Sequence, residues 1–186
     1  MMSLYHKTKV IDKNSIEVSN SVVIIDNLFM GVHISFNDKV FILTNKHTCE
    51  YNKTKYNSDY ISFDGQLDKI IALDSIHDLC LVTSNRPVGL VISNTHINIT
   101  DKIFILKDKN PIIGKFLGKE SIFFKEETLE TIKVSSIYYK ISSGTPIINE
   151  KEELVGVVIA TSKNNPSISY TVPLSYIRTF LELYTR

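Results

Sequence analysis

Three short segments carry side chains that could act together in acyl transfer. His47 follows the apolar run 41–43, Asp78 directly precedes another apolar run, and Ser143 directly precedes Gly144. A serine hydroxyl is a weak nucleophile near neutral pH, so a neighbouring base must take its proton. An imidazole can be that base when a carboxylate holds it in the right tautomer. These residues therefore predict nucleophilic catalysis if the fold brings them together.

The turn around Ser143 could also stabilise an oxyanion. A serine that precedes glycine in a tight turn can offer its own N–H and the N–H of the residue two positions earlier, here Ile141. Gly144 permits a positive φ or a close approach of the backbone. We therefore expect the N–H groups of Ile141 and Ser143 to form the oxyanion hole.

Two neighbouring residues compete for these roles. Asp74 competes with Asp78 as the carboxylate, and Ser142 competes with Ser143 as the nucleophile. The apolar run that follows Asp78 and the glycine that follows Ser143 favour the second residue of each pair.

A metal site is a further alternative. His47 and Cys49 form one short cluster, His77 and Cys80 form another, and structural zinc accepts two cysteines with two histidines. The His-x-Cys spacing is unusual for zinc, and the strand pattern points Cys80 inward. We therefore expect no metal and no cofactor, with the two cysteines as small buried hydrophobic residues. One disulfide bond between them stays open.

Short β-rich runs separated by turn signals fill most of the chain from residue 19 onward. Strands are predicted at 21–25, 31–36, 40–44, 60–63, 70–73, 79–82, 102–106, 112–116, 121–124, 131–134, 146–148, 155–160 and 168–172, with a polar loop at 51–57. Only the end is predicted to be helical, because Leu174, Ile177, Leu181 and Tyr184 follow helical spacing, with Ser175 as the N-cap. Many short strands without βαβ alternation indicate an all-β double barrel.

Composition and charge exclude several classes of protein. Hydrophobic residues are 43% of the chain and charged residues 22%, which allows a packed core and excludes wholesale disorder. The net charge of +1 gives no footprint for nucleic acid or an anionic membrane. No apolar run is long enough to span a bilayer, and the first residues lack a secretory signal. We therefore expect a soluble, cytoplasmic or intracellular protein, and two cysteines fit a reducing compartment.

In these motifs the chain resembles the chymotrypsin-fold (trypsin-like, PA clan) serine proteases, and most closely HtrA-type protease domains and compact viral serine proteases. Segments 42–47, 78–81 and 142–146 match the family's motifs around its histidine, aspartate and serine. Segments 154–157 and 168–173, followed by a helix, match its closing strands. The resemblance runs from about residue 19 to the end of the chain.

The resemblance implies two antiparallel Greek-key β-barrels with the site in the cleft between them. An arm at 1–18 would precede barrel one at about 19–98, barrel two at about 99–173 and a C-terminal helix at 174–185. Ser143 would be the nucleophile, His47 the general base and then acid, and Asp78 the residue that orients His47. The implied activity is that of a serine endopeptidase acting on polypeptides without a cofactor. A virus-encoded enzyme acting in a host cell is one source that the resemblance allows, and no oligomeric state is predicted.

The resemblance also implies a specificity pocket. By alignment, Tyr170 would lie beneath a pocket wall formed by Ile137, Tyr138, Val158, Ile159, Ala160 and Thr161. No acid is among them, so we expect a small or medium apolar residue at P1. The family usually has glycine at the position of Ile141, where a β-branched residue is costly at positive φ. We therefore expect an oxyanion hole that forms only with substrate or not at all. In the second case the chain would be a catalytically inactive homologue that binds peptides in the cleft.

Overall fold

The computed structural model describes residues 18–63, 66–99, 101–107, 110–136 and 141–185. Of the arm predicted at 1–18, only Val18 falls within these ranges. Strands dominate the described part of the chain, in two antiparallel systems followed by a C-terminal helix. The predicted all-β class is therefore confirmed.

The first half of the chain forms a seven-stranded sheet. Its strands are β1 (Val22–Ile25), β2 (Phe29–Phe36), β3 (Lys39–Asn45), β4 (Tyr60–Phe63), β5 (Gln66–Asp74), β6 (Leu79–Thr83) and β7 (Leu90–Val91). They follow the order β1-β2-β3-β6-β5-β4, with β7 paired to β2 in parallel. Val23 and Ile25 of β1 share a buried cluster with Ile61 and Phe63 of β4, so the two ends of this order meet through their side chains.

The second half closes into a barrel. Its strands are β8 (Lys102–Lys107), β9 (Asn110–Phe124), β10 (Glu127–Ser136), β11 (Pro146–Asn149), β12 (Leu154–Thr161) and β13 (Ile168–Pro173). They close in the order β10-β13-β12-β11-β8-β9. Its interior is aliphatic apart from Phe116 and includes Ile103, Ile105, Ile147 and Val158. Such burial is the main favourable contribution to folding.

A helix, α1 (Lys46–Tyr56), occupies the region where a polar loop was predicted at 51–57. Its buried residues are Thr48, Cys49 and Asn52, which are small or polar, so the sequence shows no apolar helical spacing. Asn57, the residue after the helix, has a left-handed φ of 49°, which is typical of a helix C-terminus. The loop prediction was wrong because this helix buries polar groups.

The C-terminal helix, α2 (Leu174–Tyr184), packs on both halves of the molecule. It buries Leu174, Ile177 and Leu181, as the helical spacing predicted, and also Phe180, whereas the predicted Tyr184 is exposed. The Arg178 guanidinium donates hydrogen bonds to the carbonyls of Ile92 and Ser93 in the segment that joins the two halves. The predicted N-cap, Ser175, was wrong, because the helix begins one residue earlier, directly after a proline.

One long strand, β9, replaces the two strands predicted at 112–116 and 121–124. Residue pairing with β10 shifts between Lys133↔Gly118 and Val134↔Phe116, which leaves Leu117 as the extra residue of a β-bulge. Gly118 has a φ of +124°, and a Cβ placed there would meet no atom within 4 Å. β9 and β10 thus form one long bent hairpin, the β9–β10 hairpin.

None of the helices in the described ranges has the length and hydrophobicity of a transmembrane span.

Candidate active site

His47 lies where β3 gives way to α1. Asn45, the last residue of β3, has extended backbone angles, and Lys46 begins the helix. This change of direction brings His47 to the end of the first sheet. Strand pairing of Asn45 with Leu79 puts the start of β6, and hence Asp78, directly beside it.

Asp78 binds His47 through both carboxylate oxygens. Oδ2 lies 2.6 Å from Nδ1 of the imidazole, and Oδ1 accepts the backbone N–H of His47 at 3.1 Å. The Asp78 side chain is 4% exposed and the His47 side chain 19%. With Nδ1 turned to the carboxylate, Nε2 is the ring nitrogen left to exchange a proton with a substrate or nucleophile.

Two hydrogen bonds from the end of β3 and the start of α1 hold the backbone of Asp78 in its turn. Its φ is 55°, a left-handed conformation that aspartate tolerates better than most residues. Its carbonyl accepts the N–H of Lys46 at 3.0 Å and the side-chain amide of Asn45 at 3.3 Å. The start of α1 and the start of β6 therefore hold the carboxylate and the imidazole as one unit.

Asp74, the competing carboxylate, has a different partner. Its Oδ2 lies 2.7 Å from Nδ1 of His77, and its Oδ1 accepts the backbone N–H groups of Ile76 and His77. The His77 ring stacks on Tyr176 of α2 at a centroid distance of 4.0 Å. Asp74 thus closes the β5–β6 turn and fastens it to α2.

The turn that carries Ser143 docks on the first sheet. The Ser143 carbonyl accepts the backbone N–H of Met30, at 2.9 Å, and the Gly144 N–H donates to the Val158 carbonyl, at 2.8 Å. Gly144 has a φ of 84°. A Cβ there would lie 2.9 Å from Oγ1 of Thr44 and even closer to the Met30 carbonyl oxygen. Only glycine fits this approach.

Contacts through β2 connect Ser143 to the histidine. Met30, which bonds the Ser143 carbonyl, follows Phe29, and the Phe29 ring lies 5.7 Å from the imidazole of His47 between centroids. The Ser143 hydroxyl itself donates to the Ile159 carbonyl at 3.1 Å. Ser142, the competing serine, contributes its carbonyl to Thr145 within the turn.

The two predicted oxyanion residues differ in surroundings. Ile141 is 4% exposed and packs among the aliphatic residues of the second barrel. Its carbonyl accepts the hydroxyl of Thr161 at 3.1 Å. This hydrogen bond connects the carbonyl of Ile141 to β12, and the side chain of Ile141 is part of the barrel core.

The structure describes only four of the six residues predicted to form the wall of the S1 pocket. Ile137 and Tyr138 lie outside the described residues. Val158 and Ile159 are buried, and Ala160 and Thr161 are half-buried at the end of β12. Val158 packs inside the second barrel.

The two cysteines form a disulfide bond, the option that the sequence left open. Cys49 and Cys80 are fully buried and lie two residues after His47 and Asp78 respectively. The bond therefore joins the two segments that hold the imidazole and its carboxylate. It also removes the two thiolates that the zinc alternative required.

The sequence did not identify the tip of the β9–β10 hairpin as a neighbour of the site. The Phe124 ring lies 6.3 Å from the His47 ring between centroids, and the Lys125 ammonium lies 3.7 Å from Oδ1 of Asp78. Neither residue belongs to a motif, and both come from the other half of the chain. They lie at the tip of the hairpin, beyond its bulge.

Comparisons with known proteins agree with this architecture. No protein-family model and no curated protein matches the sequence. Among solved structures, the active form of the Rv3671c protease from M. tuberculosis is similar, with a TM-score of 0.67 and 12% identity, over 99% of this chain and 94% of that one. The MamO protease domain of Magnetospirillum magneticum has a TM-score of 0.66 and 17% identity, over 87% of this chain and 96% of that one.

An HtrA-type protease is also similar. AlgW, solved with a decapeptide, has a TM-score of 0.62 and 18% identity, over 83% of this chain and 52% of AlgW. At such identities the likeness shows the fold. The chain therefore has the chymotrypsin-like fold of these serine protease domains, as its motifs predicted.

Proposed function

We propose that the protein is a serine endopeptidase. The observation that carries the proposal is the pairing of His47 with Asp78 at the end of the first sheet, on whose strand β2 the Ser143 turn docks. Asp78 is almost fully buried and bonds Nδ1, the arrangement that leaves Nε2 as a base. The fold shared with serine protease domains supports the same chemistry.

In the proposed reaction, the Ser143 hydroxyl leaves the Ile159 carbonyl by rotation about its Cα–Cβ bond and gives its proton to Nε2 of His47. The oxygen attacks the scissile carbonyl carbon, and the imidazolium, stabilised by Asp78, returns the proton to the departing amine. Water then attacks the acyl-enzyme, with His47 taking a proton from the water and returning it to Ser143. The free Ile159 carbonyl becomes available to a substrate N–H.

The N–H groups of Ser143 and Ile141 are proposed to bind the oxyanion. The Ser143 N–H lies in the glycine-dependent turn, which supports its preorganisation. Loss of one such donor typically costs about 10²–10³ in rate. The Ile141 side chain is packed in the barrel core. A rotation of its peptide that turns the Ile141 N–H toward the oxyanion would therefore have to leave this side chain in place.

The substrate is proposed to be a polypeptide with a small or medium apolar P1 residue. Ala160 and Thr161, the half-buried residues of the described pocket wall, are apolar or neutral, whereas the Val158 and Ile159 side chains are buried in the core. The AlgW structures hold a decapeptide and a tripeptide, which supports peptide binding on this fold. No cofactor has a part in the proposed reaction.

A catalytically inactive peptide-binding homologue is the second candidate. The observation that favours it is the hydrogen bond from the Ser143 hydroxyl to Ile159, since this bond directs the hydroxyl to a backbone carbonyl. In this alternative the cleft would bind peptides, but the serine would not become acylated.

Labelling with a fluorophosphonate distinguishes the two candidates. The probe forms a bond to an activated serine, and intact-mass spectrometry counts the adduct. We expect one adduct on the native chain, none on Ser143→Ala and one on Ser142→Ala, the matched control. A native chain that stays unlabelled and cleaves no member of a proteome-derived peptide library would exclude the enzyme.

The cytoplasmic location stays a prediction. The buried Cys49–Cys80 disulfide is typical of oxidising compartments, which disagrees with the reducing compartment expected from the low cysteine content. Thiol counting on protein isolated from its natural cell, with alkylation before lysis, would decide between them.

A further inference from the structure

The β9–β10 hairpin reaches from the second barrel to the imidazole and carboxylate of the first sheet. At its tip, Lys125 and Glu126 have φ values of 47° and 73°, a tight two-residue turn. Phe124 lies beside the His47 ring, and the Lys125 ammonium lies 3.7 Å from Asp78 and 5.6 Å from the Phe124 ring centre. The tip thus contacts both members of the histidine–aspartate pair.

The hairpin is bent and braced so that its tip stays there. The bulge at Leu117 and the positive φ of Gly118 bend it at about half its length. Beyond the bend, Lys119 pairs with Glu130 across the two strands. Glu120 pairs with Lys133 at 2.7 Å, and this hydrogen bond raises the pKa of the lysine. These cross-strand pairs connect the two strands beyond the bend.

One face of the outer hairpin packs on the body of the protein. Leu129 is 3% exposed and belongs to the core cluster shared by both halves, and Ile122 packs against the same cluster. Phe124 follows on this inner face, two residues after Ile122. Phe123 points to the other face and is 77% exposed. The inner face therefore places Phe124 beside His47.

The imidazole consequently has two aromatic neighbours. Phe29 of the first sheet and Phe124 of the hairpin approach the His47 ring with interplanar angles of 72° and 61°. In the proposed reaction, a peptide that presents its scissile carbonyl to Ser143 lies beside the imidazole, and Phe124 is one of the two rings next to that imidazole. A side chain next to P1 would meet the aromatic ring there.

We propose that the tip of the β9–β10 hairpin forms a wall of the substrate cleft, and that Phe124 selects an apolar side chain at the substrate position that adjoins P1. The ion pair between Lys125 and Asp78 holds this wall in place. The inference rests on the proposed peptidase function and adds a specificity residue to it. An aromatic wall that is open to solvent on one side should favour leucine over glycine by roughly tenfold.

The test compares peptides that carry leucine or glycine at P2, and separately at P1′, with P1 fixed. In the native chain one of these positions should show the leucine preference in kcat/KM. Phe124→Ala should reduce that preference roughly tenfold through KM, and Phe124→Leu should retain most of it. Phe123→Ala, the neighbouring phenylalanine on the outer face, should leave it unchanged.

Two results would overturn the inference. One is an equal leucine preference in Phe124→Ala and Phe123→Ala. The other is a rise in kcat/KM for every peptide in Phe124→Ala, which would mean that the tip blocks the cleft. If the native chain neither labels nor cleaves, the peptidase proposal fails by itself. Fluorescence anisotropy of the same peptides on Ser143→Ala then decides the role of Phe124, since equal affinities with and without Phe124→Ala would reject it.

Discussion

Replacement of Gly144 by alanine should disconnect the turn that carries Ser143. The left-handed φ of 84° costs a non-glycine residue about 1–2 kcal/mol. The new Cβ would also collide with the Met30 carbonyl, which is backbone and cannot rotate away. Relief requires the turn to withdraw, which breaks its bonds to Met30 and Val158 at about 1 kcal/mol each. We expect a loss of about 3–4 kcal/mol in the free energy of unfolding.

Urea unfolding and calorimetry would measure this loss, which should lower Tm by roughly 10 °C in a chain of this length. Gly118→Ala is the matched control, because that glycine has a φ of +124° with no atom within 4 Å of a Cβ. It should lose only the backbone part, roughly 1–2 kcal/mol. Equal losses in the two variants, within about 0.5 kcal/mol, would refute the reasoning that the approach to Met30 requires glycine.

Three further outcomes are expected. Asp78→Asn should reduce kcat by about 10⁴ through the wrong imidazole tautomer, whereas Asp74→Asn should stay within about tenfold of the native rate; equal losses would reject the pairing. The hydrogen bond from Lys55 lowers the pKa of Asp26, so Asp26→Asn should lower Tm near neutral pH. This Tm gap should close as the pH falls below about 4, and a gap constant to pH 2 would contradict the prediction. Reduction of the Cys49–Cys80 bond, whose ends are 31 residues apart, should cost about 3–4 kcal/mol by urea unfolding, and an unchanged midpoint would count against it.

The sequence predicted well the features that depend on strand ends. His47 and Asp78 flank apolar runs that become β3 and β6, and the pairing of these strands makes the two side chains neighbours. The register of a sheet follows its hydrophobic pattern, so residues at the ends of paired strands could be related before the structure was known. The close contact of the Ser143 turn with β2 could also be anticipated, because Gly144 indicated that two backbone segments approach each other there.

The features that the sequence did not predict depend on polar burial or on geometry. Helix α1 buries Thr48 and Asn52 rather than apolar residues, so its spacing carried no signal. The hairpin turn at Lys125 and Glu126 lacks the asparagine or glycine that usually marks such turns. The position of Phe124 beside His47 depends on a bend several residues away, which no local pattern encodes.

Helix α2 has a consequence for anything attached to this end of the chain. Arg178 donates a hydrogen bond to the segment that connects the two halves, and Tyr176 stacks on His77, which immediately precedes Asp78. A fusion partner or surface that pulls on this helix would therefore strain both the segment that connects the halves and the turn that carries the carboxylate. A tether used for immobilisation should therefore be long and flexible enough to put no tension on the last turn of this helix.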